Sequence, residues 1–475
     1  MNIKLSFLGA AQNVTGSKYL LQANGTNILI DCGMYQERQF LERNWNPFPF
    51  SPKDVDAVFL THAHLDHCGL LPKLVKEGFD GPIYCTQATA DLAKIILLDS
   101  AKLQEEDAEH KRKRHEREGR KGPYPEMPLY TIKDAEVCFP LFTPLEYRHP
   151  VNLDNSKVEA TLYNAGHVLG SSFVLVKIPL SASGGPAAET RSILFTGDMG
   201  RPDRPIVGDP TIFDTADYVL VESTYGDRTH NGSIDVKEKL ADVINSTRKA
   251  GGNLVIPSFA LERSQEVLYF INQLLLDKKI KPMKIYLDSP MASKITEVFK
   301  KHADLYDSEM TELLKNHHSP FDLPGLKCTS TTEQSKAINK LKKPIIIIAG
   351  SGMCTGGRVK HHLINNISRP ESTILFVGFQ ATGTLGRQIL DGKKQVRILG
   401  NVYPVRARVE RINGFSAHAD KEELLAWLKK MKTPPRGVFV VHGEPEIADA
   451  FAGYLRLNTG WTVTTPQYLQ QIKLD

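Results

Sequence analysis

The chain has 475 residues and a net charge of +5. That length supports two or three domains with full cores. No apolar stretch approaches the roughly 20 residues a membrane helix needs, and the mild excess of positive charge is compatible with a polyanionic substrate without demanding one. Six cysteines (Cys32, Cys68, Cys85, Cys138, Cys328 and Cys354) are scattered without a CxxC pair. They fit buried free thiols in a reducing cytosol better than a disulfide framework. The apolar run after Met1 is too short for a signal peptide. A cytoplasmic protein with no membrane partner is expected.

Ile3, Leu5 and Phe7 alternate as in a strand, and Tyr19 to Leu21 and Asn27 to Ile30 continue the pattern through hairpins. Asp31 closes the third of these. Val55 to Leu60 reads as a buried strand, and straight after it comes Thr61-His-Ala-His-Leu-Asp-His67. Nitrogen and carboxylate ligands suit zinc, and a group this packed can share itself between two ions. A polar loop with incidental histidines is the bland alternative, and three His and one Asp directly behind a strand weigh against it. Leu70 to Lys76 reads as a helix and Pro82 to Cys85 as a strand. Helical periodicity runs from Thr89 to about Glu109. The basic run Lys111 to Arg114, continued at Gly119 to Gly122, is either a solvated helix end or a phosphate-contacting arm.

Val158 to Tyr163 reads as a strand entering Asn164-Ala-Gly-His167. Phe173 to Ile178 and Ser192 to Phe195 read as a strand pair joined by a flexible loop, Ser181 to Thr190, and Asp198 follows the second. A lone His167 reads as a structural histidine and a lone Asp198 as a turn cap. Both stand at strand ends behind the first cluster, and that placement gives them weight. From about Asp217 strand and helix alternate: Tyr218 to Val221, Asn253 to Ile256, Lys284 to Leu287, Ile345 to Ile348 and Thr373 to Val377. This is the pattern of a parallel α/β sheet. The run Gly350 to Arg358 follows a buried strand, precedes a helix and resembles a phosphate cradle. It is no dinucleotide fingerprint, because Thr355 stands at the third glycine, and no P-loop, because no GK[ST] ends it. A tight strand-to-helix turn is the plain alternative. The last part carries Gly414 to His418, a helix from Lys421, the strand Gly437 to Val441, and His442-Gly-Glu444.

The pattern HxHxDH at His62, His64, Asp66 and His67 resembles the metal-binding signature of the metallo-β-lactamase superfamily, and the order of His167 and Asp198 behind it matches. The resemblance implies one metal on His62, His64 and His167, a second on Asp66, His67 and His442, and Asp198 bridging both. It makes Asp31 a residue that orients a metal ligand from behind. Beyond Asp198 the chain is similar to the β-CASP nucleases over nearly its whole length. Glu222 in Glu222-Ser-Thr-Tyr-Gly226 matches motif A, His418 in Ser416-Ala-His-Ala-Asp420 motif B, and His442 motif C. Pro257-Ser-Phe-Ala260 with Arg263, Asp288 to Ala292, and Gly350 to Arg358 match further.

The resemblance implies an α/β fold: an αββα metallo-β-lactamase domain from residues 1–207 and 395–475, with a Rossmann-like β-CASP domain inserted at 208–394. It implies two zinc ions and hydrolysis of RNA phosphodiesters to 5′-phosphate and 3′-hydroxyl ends. Catalysis would rest on Asp66, Asp198, Glu222 and His418, the last oriented by Glu222 and protonating the leaving oxygen. Ser351 and Gly352 would hold the RNA backbone through their loop, with Arg358 as a charge clamp and Arg263 as a second candidate; an exposed helix charge is the bland alternative for Arg263. The expected partners are single-stranded RNA and, as an open alternative to a monomer, a second copy of the chain.

Three departures stand out. Archaeal members of the RNA-cleaving branch carry N-terminal KH domains, whereas this chain starts on the lactamase strands. The RNase J group has a further C-terminal domain, whereas only a short tail follows His442. DNA-acting members typically carry valine at motif C, where this chain has His442. A small-molecule hydrolase leaves the insert unexplained. A catalytically weak RNA-binding scaffold would have lost ligands that are all present here. A DNA-acting nuclease is disfavoured by His442.

Overall fold

Strand Ile3–Gly9 pairs antiparallel with Lys18–Ala23 on one side and Gln471–Leu474 on the other, so both ends of the chain build one sheet. The computed structural model describes residues 3–119, 121, 126–153, 157–180, 189–230, 236–341 and 343–475. The chain divides into two compact units. One comprises Met1–Arg204, Asp209–Thr229 and His418–Asp475, the other Pro205–Gly208 and His230–Ala417.

The first unit holds two seven-stranded sheets face to face. The first sheet continues from Lys18–Ala23 through Thr26–Ile30, Ala57–Phe59, Ile83–Cys85 and Phe142–Pro144. The second runs Val463–Thr464, Gly437–Val441, Tyr218–Glu222, Thr190–Phe195, Ser172–Pro179, Val158–Asn164 and Pro150–Leu153. Strand alternation divides the side chains. Val174, Val176 and Ile178 enter the core between the sheets with Phe7, Tyr19 and Phe195, while Phe173 and Leu175 face outward. On that outer side Trp427, Leu428, Phe451 and Leu455, from helices Lys421–Leu428 and Pro445–Thr459, cover the second sheet. Helices Leu71–Lys76, Gln87–Glu118 and Ile132–Cys138 interleave with the strands of the first sheet and bury Leu74, Leu92, Leu97 and Cys138. The expected αββα layering is observed.

The second unit is built on a six-stranded, wholly parallel sheet in the order Leu326–Cys328, Lys284–Leu287, Ile345–Ala349, Leu254–Pro257, Thr373–Phe376 and Arg408–Arg411. Its four inner strands are near-continuous apolar runs, as expected of strands buried on both faces. Val255, Ile347, Ile374 and Phe376 pack with Val359 and Leu363 of helix Val359–Asn366.

The expected domain boundaries shift. Tyr218–Glu222, read as the first strand of the insert, lies in the second lactamase-type sheet between Thr190–Phe195 and Gly437–Val441. Its residues alternate between the two cores, Tyr218 and Leu220 inward and Val219 and Val221 outward, so it is as uniformly apolar as any insert strand. At the other end, residues 395–417 stay with the second unit, through the hairpin Gln395–Ile398 with Asn401–Pro404 and the edge strand Arg408–Arg411.

The helix expected to fade near Glu109 continues to Glu118 and ends on Gly119 in the left-handed region. The basic run is part of it, with Lys113 paired to Glu109 and Arg114 to Glu118 one turn away. That geometry is the solvated helix face, at least for these two residues. Most of the expected loop Ser181 to Thr190, and Arg120 and Gly122 of the basic continuation, lie outside the described residues. All six cysteines are unpaired; five are buried and Cys328 is exposed, against the expectation that all are buried. Among the described residues no helix is long and apolar enough to cross a membrane.

Candidate metal centre

Every ligand candidate in the first unit stands where a strand stops. Strand Ala57–Phe59 runs out into Thr61 to His64, and a single turn of helix, Leu65–Cys68, brings Asp66 and His67 back to the same point. His167 follows Val158–Asn164, Asp198 follows Thr190–Phe195, and His442 follows Gly437–Val441. His442 takes a positive φ of 53°, and Thr224 Oγ1 meets its Nδ1 at 3.1 Å.

Two donor sets result. In the first, His64 Nδ1 lies 2.9 Å from His62 Nε2 and 3.3 Å from His167 Nε2. Asp198 Oδ2 is 3.5 Å from both His62 Nε2 and His167 Nε2. In the second, His67 Nε2 and His442 Nε2 are 3.1 Å apart, and Asp66 Oδ2 is 3.5 Å from His442 Nε2. The other carboxylate oxygen, Asp198 Oδ1, is 3.3 Å from His67 Nε2 and 3.5 Å from His442 Nε2. Asp198 thus turns one oxygen to each set.

These separations fit a metal. A tetrahedron with zinc–nitrogen bonds of about 2.0–2.1 Å has edges of roughly 3.3 Å. The atoms of each set lie within 4.8 Å of one another, and Asp198 Oδ1 and His167 Nδ1 are buried without a hydrogen-bond partner among the described residues.

The electrostatics agree. Burial, with neighbouring imidazoles adding to it, holds His62 and His167 well below the ordinary histidine range. Burial brings His64 down to about 4 against the pull of Asp66 and Asp198. Burial thus favours the neutral rings, which keep the lone pairs a metal needs. In the second set burial is outweighed. Asp198 and Asp31 raise His67, and Asp198 and Asp66 raise His442. The carboxylates there draw positive charge.

Asp31 is fully buried and accepts from His67 Nδ1 at 2.7 Å. This fixes the tautomer whose Nε2 lone pair points at the donor set. Asp31 is itself held by the Thr61 amide (2.8 Å) and hydroxyl. Thr61 stands in no motif that singles it out. Its signal was its position, a hydroxyl immediately before the HxHxDH run.

Beside the donor sets sits a different pair. His418 Nδ1 is 3.0 and 3.1 Å from the two oxygens of Glu222, and its ring centroid is 4.5 Å from that of His167. Glu222, fully buried at the end of its strand, also accepts the Met199 amide at 2.6 Å. Burial disfavours charge on His418, but the Glu222 carboxylate, with Asp198 and Asp66 behind it, raises its pKa to about 9. Asp198, Glu222 and His418 form a third cluster of potential ligands, but its close contacts are those of a hydrogen-bonded histidine–carboxylate pair.

The proposed substrate residues lie in the second unit. Arg358 does not point out as a clamp. Its Nη1 donates to buried Asp288 at 2.7 Å and its Nη2 to the Ser330 carbonyl at 2.9 Å. Arg263 Nη1 donates to Glu266 at 2.6 Å, and its guanidinium lies over Phe415. Both are engaged within their own unit. Ser351 Oγ accepts from the Thr355 and Gly356 amides at 3.0 and 3.2 Å and so shapes the loop. Gly352 abuts the Phe259 ring, where a Cβ would stand 2.7 Å from it.

Two facing sheets clad in helices, with His and Asp donors gathered at their strand ends, define a metallo-hydrolase of the metallo-β-lactamase class. A metallo-β-lactamase superfamily domain matches residues 20–181, a β-CASP domain 264–389, and a Zn-dependent metallo-hydrolase RNA specificity domain 402–466. The chain belongs to the β-CASP family of this superfamily. It is 39% identical to Ribonuclease TTHA0252 of Thermus thermophilus over 92% of both chains. It is 30% identical to Transcription termination factor FttA of Methanocaldococcus jannaschii, over 96% of this chain and 69% of the relative. An RNase J-like protein of the same archaeon is 29% identical over 95% of this chain and 94% of its own. The crystal structure of a protein of unknown function from Enterococcus faecalis V583 aligns over all of both chains with a TM-score of 0.57 at 12% identity, a likeness of fold alone.

Proposed function

We propose that this chain is a zinc-dependent ribonuclease that hydrolyses phosphodiester bonds of single-stranded RNA in the cytoplasm and leaves 5′-phosphate and 3′-hydroxyl ends. The observation that carries the reading is the division of Asp198 between two donor sets, with a histidine–carboxylate pair standing outside both. The names of the curated relatives and the RNA specificity domain supply the substrate class.

In this reading His62, His64 and His167 hold one zinc ion, Asp66, His67 and His442 hold a second, and Asp198 serves both. When bound, such a pair supplies an acidified water and positive charge for the phosphoryl oxygens. The protein's own groups do the rest. Asp31 keeps the His67 proton on Nδ1 and the ring in place. Glu222 keeps a proton on His418 Nδ1, so the second proton of the imidazolium resides on Nε2. His418 gives that proton to the departing 3′ oxygen and ends neutral, still anchored on Glu222.

The test is product mapping. Zinc-loaded protein is incubated with end-labelled single-stranded RNA and with DNA of the same sequence. RNA fragments with 5′-phosphate ends support the proposal. Cleavage of DNA alone, or of neither, overturns it.

A further inference from the structure

The insert sheet changes its direction of winding at one place. From Leu254–Pro257 the chain crosses to Lys284–Leu287 on one side, and from Ile345–Ala349 it crosses back past Leu254–Pro257 to Thr373–Phe376 on the other. Leu254–Pro257 and Ile345–Ala349 are neighbours, so the point beyond their carboxyl ends is the topological switch point of the sheet. In open α/β sheets that is where ligands bind.

An aromatic ring occupies that position. Phe259, two residues beyond the first strand, is 40% exposed. The ring rests against Gly352, where a Cβ would come within 2.7 Å, and beside Gly378, where a Cβ would make ordinary contact at 3.5 Å. The Phe259 carbonyl accepts from Ser264 Oγ at 2.7 Å. Gln380 Nε2 ties the two glycine loops together by donating to the carbonyls of Gly352 (2.9 Å) and Phe379 (3.0 Å). Phe379, at the same edge, is 48% exposed.

We infer that Phe259 is a stacking platform for one unpaired nucleobase of the RNA substrate, with Phe379 as its flank. This rests on the ribonuclease reading above. A flat, exposed ring at a sheet's ligand-binding edge suits the π-face of a base, which single-stranded RNA presents and a paired duplex does not. Stacking of this kind is tolerant of sequence, so the platform selects unpaired RNA rather than a particular base. It also gives Gly352 a role: a side chain there would push the ring out of place.

The experiment measures KM and kcat on a single-stranded RNA in which one abasic nucleotide is moved along the chain. Wild type is compared with Phe259→Ala, Phe259→Leu, Phe259→Trp and Gly352→Ala. Loss of one base–aromatic stack weakens binding by about 5- to 150-fold. Phe259→Ala, Phe259→Leu and Gly352→Ala should raise KM by such a factor with little change in kcat, and Phe259→Trp should stay near wild type. One abasic position should cost wild type the same factor and cost Phe259→Ala nothing more. Unchanged KM in the alanine and leucine variants, or an abasic penalty equal in wild type and Phe259→Ala at every position, overturns the platform while leaving the ribonuclease intact. A wild-type protein that neither binds nor cleaves single-stranded RNA overturns both.

Discussion

Replacing His418 with alanine separates proton delivery from metal binding. The two donor sets are complete without it, and its Nδ1 is already held by Glu222 at 3.0 Å. The Glu222 carboxylate raises its pKa to about 9, which favours the imidazolium, the form that can act as an acid. The variant loses that acid. A positioned general acid contributes about 10²- to 10⁴-fold, so turnover should fall by that order while zinc content and RNA affinity hold. The assay is single-turnover cleavage of two matched RNAs, one ordinary and one with sulfur at the 3′ bridging position of the scissile bond. The thiolate leaves without a proton, so the sulfur substrate should recover most of the lost rate. A variant that loses zinc would make His418 a ligand. A variant equally slow on both substrates, relative to wild type, would refute the proton-donor assignment.

Three further outcomes are expected. Glu222→Gln removes the main group that raises the His418 pKa, so the rate, which falls as pH rises through that value, should begin to fall about one unit or more earlier; a pH–rate profile with an unmoved alkaline limb would contradict this. Asp31→Ala frees His67 Nδ1 and should weaken zinc binding about 10- to 100-fold. Competition with a chelating indicator measures it, and unchanged affinity would remove Asp31 from the site. Arg358→Ala breaks a charged bond to buried Asp288 and should cost about 1–3 kcal/mol, a fall in Tm of a few degrees. An unchanged Tm with a raised KM for RNA would return Arg358 to the role of phosphate clamp.

The candidate donors were legible because four of them crowd into His62 to His67 and because each remaining one closes an apolar strand. What made them a site, the convergence of His167, Asp198 and His442 on that loop, is a property of the two facing sheets. No local pattern carries it; the order of motifs did. The hydrogen bonds from Thr61 to Asp31 and from the Met199 amide to Glu222 were invisible for the same reason, since each joins groups distant in the chain. Strand assignment worked where burial leaves a periodicity, as at Ile345–Ala349. It failed as a guide to domain membership at Tyr218–Glu222, because a strand buried on both faces looks the same in either sheet. It missed Arg408–Arg411, an edge strand with three charged residues in four and no apolar rhythm to read. From sequence alone Arg358 and Arg263 read as outward charges, because nothing local shows that Asp288 and Glu266 lie within reach.

The most direct test of the account is the number of zinc ions per chain in the active protein. Asp198 turns Oδ2 to His62 and His167, and Oδ1 to His67 and His442, and on the proposed reading that division serves two ions. Elemental analysis of protein purified in zinc, exchanged into metal-free buffer and assayed for RNA cleavage on the same sample should give two ions per chain. Full activity with one ion per chain would contradict it.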